Sequence, residues 1–63
     1  MPMTGKDMLK LAIKNGWKKV RTNGSHNIVE KEGFLPVSIP IHGNRDLKKG
    51  IESSLLKDLG LRK

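Results

Sequence analysis

WKKVRTNGSHNIVEKEGFLPVSIPI, residues 17–41, contains three strand-like segments with turn residues between them. Branched and aromatic side chains favour strands over residues 17–22 and 25–31, because such side chains pack well on a pleated surface. Asn23-Gly24 lies between these two segments and predicts a tight turn. The first two strands should therefore form a hairpin.

The third segment, residues 35–41, is expected to be an edge strand. Val37 and Ile39 alternate with less apolar neighbours, which is the period-two pattern of a strand with one buried face. Pro36 and Pro40 cannot donate ladder hydrogen bonds, and a sheet tolerates such residues mainly at its edges.

A helix is predicted on each side of this strand region. The first should cover residues 5–14, because Thr4 is a good N-cap and Asn15-Gly16 is a typical helix stop. The second is predicted from apolar residues that recur every four positions on one stripe. These are Leu47, Ile51, Leu55 and Leu59.

The ends of the second helix also carry signals. Asn44 or Asp46 is expected to cap its start, and Gly60 to end it. Gly50 lies inside the helix, at a cost of about 1 kcal/mol relative to alanine. We attribute Gly50 to close packing of this helix against the sheet or the first helix.

The element order α-β-β-β-α predicts a single α+β domain over residues 1–63. A three-stranded antiparallel sheet with both helices on one face is the simplest way to bury the apolar stripes. This is the architecture of double-stranded-RNA-binding domains. A chain this short buries only about 60% of the surface that its unfolded form exposes, so support by a partner is expected.

The charge balance indicates a polyanionic partner. Thirteen Lys and Arg against six Asp and Glu give a formal net charge of +7, for which nucleic acid is the commonest ligand. A merely soluble basic protein is the alternative. The chain has no cysteine, which excludes disulfides and zinc–thiolate sites. Trp17 and Phe34 are the only aromatic residues, so RNA should be bound mainly through its phosphates.

The sequence disfavours several other classes of protein. No apolar run approaches the roughly 18 residues of a membrane span, and residues 1–4 lack the apolar core of a signal peptide. We therefore expect a cytoplasmic protein with no membrane partner. No nucleotide-binding loop, metal-binding triad or Ser-His-Asp set is evident, and neither a metal nor a small-molecule cofactor is expected.

His26 is the main candidate for chemistry. It follows Gly24-Ser25, where a hairpin should hold it within reach of solvent. Imidazole both takes and gives protons near neutral pH, and RNA carries its own nucleophile, the ribose 2′-hydroxyl. A surface histidine without function is the alternative. His42 suggests an acid–base partner for His26, although a loop or capping role is more common for such a histidine.

Two groups of basic residues are candidates for phosphate binding. The first group lies on the predicted hairpin and comprises Lys18, Lys19 and Arg21. The second lies at the start of the second helix, where free N–H groups favour an anion, and comprises Arg45, Lys48 and Lys49. A solvated charged surface is the alternative for both.

Four sequence blocks together resemble the HicA family of toxin–antitoxin mRNA interferases. They are KD at 6–7 with the leucines that follow, NGW…VR…GSH over 15–26, IPIHG at 39–43, and KKG…SLLKDLGL over 48–61. The resemblance covers nearly the whole chain. Two departures occur: Ile51-Glu52 stands where the family usually has Thr-Leu, so helix packing is expected to differ there, and the charged segment 30–33 has no family signature.

The resemblance implies a double-stranded-RNA-binding-like fold and metal-independent cleavage of mRNA. It also implies a single catalytic histidine, here His26, and neutralisation by a HicB-type antitoxin. Gly24 and Ser25, which directly precede His26, are expected to bind RNA. A non-catalytic RNA-binding module of the same fold is the second hypothesis, because it needs only the basic residues. A small DNA-binding protein is less favoured, since no helix-turn-helix pattern is present.

Overall fold

The computed structural model describes residues 3–61, and it confirms the predicted α-β-β-β-α order. The elements are α1 (Gly5–Lys14), β1 (Lys18–Asn23), β2 (His26–Glu30), β3 (Val37–Pro40) and α2 (Lys49–Asp58). The strands form one antiparallel sheet in the order β1-β2-β3. The third strand is therefore an edge strand, as its prolines predict.

The second and third strands are shorter than the sequence pattern suggests, and β1 begins and ends one residue later than predicted. The backbone N–H of Trp17 donates to the carbonyl of Ala12 at 3.0 Å, so Trp17 belongs to the exit from α1 rather than to the ladder. Its side chain is buried in the core. Phe34 likewise bonds to Lys31 in a turn, which delays β3 until Val37.

One face of the sheet carries the hydrophobic core, and both helices cover it. Val29, Val37 and Ile39 point from the strands into this core. The helices meet them with Met8 and Ala12 of α1 and Leu55 and Leu59 of α2. We call this the inner face of the sheet. The opposite, outer face is left uncovered by the helices.

The first helix has the predicted ends. The hydroxyl oxygen of Thr4 accepts a hydrogen bond from the backbone of Asp7 at 3.1 Å, and the Asp7 carboxylate accepts one from the backbone of Thr4 at 3.1 Å. Together they form a capping box. These bonds hold the pKa of Asp7 below its usual value. After α1, Gly16 adopts a positive φ of 94°.

The second helix begins later than predicted. Its N-cap is Lys48, whose side chain makes no capping hydrogen bond. Neither Asn44 nor Asp46 caps it, so that prediction is wrong. Asp46 instead forms an isolated β-bridge with Thr4. The adjacent Leu47 donates its backbone N–H to Met3 at 2.7 Å. The N-terminal segment thus holds residues 46–47 in extended form and postpones the helix.

The apolar stripe of α2 is only partly buried. Leu55 and Leu59 lie in the core, but Ile51 is 42% exposed. Glu52, the other residue that departs from the family pattern, accepts a hydrogen bond from the backbone of Met3 at 3.1 Å. Glu52 therefore helps to attach the N-terminal segment, and Ile51 forms part of an exposed surface. Neither residue belongs to the buried core.

Gly50 does not mark a close helix contact, contrary to the sequence-based expectation. A Cβ added there would meet no atom within 4 Å. The close approach occurs at Gly5, the first residue of α1. A Cβ on Gly5 would overlap the carbonyl oxygen of Pro40 and lie 2.9 Å from the Cα of Ile41. The helix therefore starts directly against the end of β3.

Substitution of these two glycines should have opposite effects. We expect Gly5→Ala to lower the free energy of unfolding by about 1–3 kcal/mol, because the added methyl group must displace backbone. Gly50→Ala should raise the free energy of unfolding by about 0.5–1 kcal/mol. The added methyl group lowers the backbone entropy of the unfolded chain and meets no neighbour in the folded helix. Urea denaturation of both variants checks this, and equal effects of the two substitutions would contradict the assignment.

Candidate active site

The hairpin turn fixes the position of His26. Asn23 pairs with His26 across the ladder, so the two central residues of the turn are Gly24 and Ser25, not Asn23-Gly24. Gly24 has a φ of 61° and no non-glycine residue among those described has a positive φ. Glycine at the first central position is typical of a type II′ hairpin turn. The carbonyl of Ser25 also accepts a bond from Ile41 at 2.7 Å.

His26 lies on the outer face of the sheet. Apolar residues at both 28 and 29 leave this direction open in the sequence, but the structure buries Val29 completely and leaves Ile28 only half-buried. Asn27 is buried on the same inner side as Val29, and Thr22 donates to its side-chain oxygen at 3.2 Å. Alternation along the strand then directs His26 outward, where it is exposed.

Ser38 is a neighbour of His26 that the sequence analysis missed. The two side chains approach across β2 and β3, with 3.2 Å between His26 Nδ1 and Ser38 Oγ. Ser38 pairs directly with Ile28, and His26 with Pro40, so the contact is diagonal. Period-two alternation already placed Ser38 on the face opposite Val37 and Ile39. The sequence does not indicate the register between β2 and β3, and this register brings Ser38 next to His26.

The basic residues of β1 are divided between the two sides of the sheet. Arg21 pairs with Ile28, and Lys18 pairs with Glu30, so both share the outer face with His26. Lys19 pairs with the buried Val29 and therefore faces the helix side, although its own side chain is exposed. An irregularity between Lys19 and Arg21 places these neighbours on different faces.

The second basic group lies next to the end of β3. His42, Arg45 and Lys48 line a cleft of about 230 Å³ together with Pro40, and we call it the His42 cleft. Lys49 follows as the first residue of α2. Pro40 is also the ladder partner of His26, so the His42 cleft adjoins the position of His26. His26 contacts Ser38 through Nδ1, and a proton transfer between the two histidines stays a prediction.

Residues 3–61 contain neither a cluster of metal ligands nor a membrane-spanning helix. No group of three or more His, Cys, Asp or Glu side chains there could hold a metal ion. None of the helices in that range is both long and apolar enough to cross a bilayer.

These features define a small basic α+β protein with the arrangement of a double-stranded-RNA-binding domain and an exposed strand histidine beside cationic side chains. The family model described as "HicA toxin of bacterial toxin-antitoxin" matches residues 5–61. The chain therefore belongs to the HicA toxin family, as the sequence blocks indicate.

A solved structure supports the same fold. The chain is similar to one from a "Toxin-Antitoxin complex from Streptococcus pneumoniae", with 44% sequence identity and a TM-score of 0.80. The match covers 95% of this chain and 100% of that chain. A comparison with curated proteins finds no match.

Loss of the Ser38 hydroxyl should change the environment of the His26 ring without unfolding the protein. We expect Ser38→Ala to shift the ring ¹⁵N resonances of His26 in NMR spectra, because Nδ1 loses its neighbour, while Ser38→Thr should preserve them. The backbone amide spectrum away from β2 and β3 is the control. Identical His26 resonances in all three proteins would contradict the contact.

Proposed function

We propose that this HicA-family chain is an endoribonuclease toxin that cleaves mRNA in the cytoplasm without a metal ion, with His26 as general acid or base. The observation that carries the proposal is the setting of His26. It is an exposed imidazole at a tight hairpin. Its Nδ1 contacts Ser38, and it lies on the same face as Arg21 and Lys18. A histidine that is held by its neighbours and open to solvent fits general acid–base chemistry.

The chemistry needs little more than a positioned imidazole and cations. Neutral His26 takes the proton of a ribose 2′-hydroxyl through Nε2, since Nδ1 is occupied by Ser38. The 2′ oxygen then bonds to the adjacent phosphorus while the bond from phosphorus to the 5′ oxygen breaks. The leaving oxygen takes a proton from water or from protonated His26. The products are a 2′,3′-cyclic phosphate and a 5′-hydroxyl end.

The basic residues serve the charge that develops on the phosphate. Preorganised cations near the reacting phosphate stabilise the transition state more than the ground state. Arg21 supplies such charge on the outer face, whereas Lys18, opposite Glu30 at the far end of that face, serves more distant phosphates. The His42 cleft, which is lined by the ladder partner of His26, Pro40, offers Arg45 and Lys48. In this proposal Lys19 and Lys49 act at longer range, by attracting RNA to a protein of net charge +7.

Cleavage of a labelled mRNA fragment in the presence of EDTA tests the enzyme. We expect His26→Ala to reduce the rate by about 100- to 10,000-fold, the usual contribution of a general acid or base. Its thermal stability should be unchanged, because the His26 side chain is exposed. Arg21→Ala should cause a smaller loss.

The substrate provides a matched control for the same experiment. A single 2′-deoxyribose at the cleaved position should block the wild-type reaction, and the normal product should carry a cyclic phosphate. Cleavage that survives both the deoxy substitution and His26→Ala would overturn the mechanism. Binding of RNA by both proteins with no cleavage by either would instead favour a non-catalytic RNA-binding module.

We also propose that a HicB-type antitoxin neutralises the toxin by covering the outer face. Support comes from family membership and from the toxin–antitoxin complex in which the similar chain occurs. A small domain with a strong positive charge suits an acidic partner surface, because charge complementarity accelerates association.

Addition of such an antitoxin to the cleavage reaction should stop it. The association rate should fall as salt concentration rises, because the attraction between the partners is screened. Stopped-flow measurements at several salt concentrations give this rate. Inhibition whose rate is independent of salt would contradict the electrostatic part of the proposal.

A further inference from the structure

The His42 cleft has an apolar side that the proposed chemistry does not use. Pro40, Leu47 and Ile51 line it together with its charged side chains, and its volume is about 230 Å³. This is smaller than the range of about 300–1,000 Å³ that is usual for drug-sized ligands. The cleft therefore suits a group of about the size of one nucleobase.

Ile51 exposes apolar surface at this cleft. It lies in the first turn of α2, and 42% of it is exposed. Leu47 packs against the buried core, whereas Ile51 is neither in the core nor packed against it. The family usually has a threonine at this position, so the apolar contact is a feature of this chain. The Ile51 side chain is therefore available to a ligand without any rearrangement of the core.

The charged side chains of the cleft complement the two parts of a nucleotide. Arg45 and Lys48 are suited to the phosphates on either side of a bound base. The Asp46 carboxylate also lines the cleft and makes no hydrogen bond or ion pair within residues 3–61. Carboxylates accept hydrogen bonds from the exocyclic amino groups of bases, and uracil has no such group. The cleft therefore favours adenine, cytosine or guanine over uracil.

The cleft lies next to the candidate active site. Its lining residue Pro40 is the ladder partner of His26, and residues directly opposite in such a ladder have Cα atoms about 4.5–5.5 Å apart. The hydrogen bond of 2.7 Å from Ile41 to Ser25 extends the pairing past this pair. A base in the cleft therefore belongs to a nucleotide at the cleaved bond or directly beside it.

We propose that the His42 cleft binds one base of the RNA substrate next to the cleaved bond, with Ile51 against the ring and Asp46 against an exocyclic amino group. Contact of apolar side chains with the ring and hydrogen bonds to the base edge are the usual means by which enzymes hold a single base. This inference rests on the proposed function, since it assumes that RNA reaches His26. It adds a base preference to a protein whose other expected contacts are to phosphates.

RNA binding by the non-cleaving His26→Ala protein tests the contact with Ile51. In this background, we expect Ile51→Thr to weaken binding of a single-stranded octanucleotide by about tenfold, the lower end of the effect of one methylene group in an apolar pocket. Ile51→Leu keeps an apolar side chain of the same size and should bind like the parent. Ile13→Thr is the matched control, because Ile13 is 50% exposed on α1 and is not part of the cleft lining.

An octanucleotide with one abasic position, moved along the strand, locates the bound base. At one position the abasic sugar should cost the parent about tenfold in affinity. It should cost the Ile51→Thr protein less, because the two changes remove the same contact and are therefore not additive.

Exchange of the base at that position tests Asp46. The parent should prefer adenine, cytosine or guanine over uracil by about tenfold, the value of one hydrogen bond to a charged group. Asp46→Ala should abolish this preference. The ratio of affinities for two bases is the readout, because the loss of a negative charge raises the affinity for every RNA alike. An unchanged ratio in Asp46→Ala would contradict the contact with the amino group.

The remaining outcomes separate the subsite from the proposed function. Equal binding by the Ile51→Thr and Ile51→Leu proteins, with both folded by circular dichroism, overturns the subsite and leaves the proposed function intact. Absence of RNA binding by the parent, together with absence of cleavage by the wild type, overturns both. A loss confined to antitoxin affinity would assign the cleft to the protein partner and overturn the subsite.

Discussion

Val29 on β2 pairs with Val37 on β3, and both side chains lie beneath the helices. A shift of one residue in this ladder would turn the buried residues of a strand outward and its exposed residues inward. It would bring His26 into the core and expose Val29. The register that buries the apolar residues is therefore the same one that presents the imidazole to solvent, and stability and the candidate site depend on one pairing.

The same pairing also positions the candidate site. Ser38 reaches Nδ1 of His26 only because Ile39 and Val37, its neighbours in the strand, are anchored in the core. On the N-terminal side of His26, the hairpin is closed by the turn at Gly24. The backbone N–H of Ile41 also donates a hydrogen bond to the carbonyl of Ser25. An exposed residue is thus held by buried ones, which is the arrangement that general acid–base chemistry requires.

Because both helices lie on one face of the sheet, the other face is left uncovered and carries the candidate site. Lys18 and Arg21 share that face with His26, and Pro40, the ladder partner of His26, also lines the His42 cleft. The N-terminal segment contributes indirectly: its bonds to Leu47 and Glu52 hold the connection between β3 and α2. Packing of the apolar inner face against the helices therefore determines which basic side chains lie on the outer face.

Local signals in the sequence were enough for the elements and for the identity of the main candidate residue. The capping box at Thr4, the alternation over β3 and the hairpin before His26 each depend on neighbours within a few positions, as does the four-residue stripe of α2.

Local patterns predicted neither the register between strands nor the close approach of segments that are distant in the chain. The direction of His26, its contact with Ser38, the close packing at Gly5 rather than Gly50 and the late start of α2 all depend on residues far apart in the chain. Such contacts form only when the core is packed, because burial of Val29 and Val37 selects one register among several that the strand sequences allow.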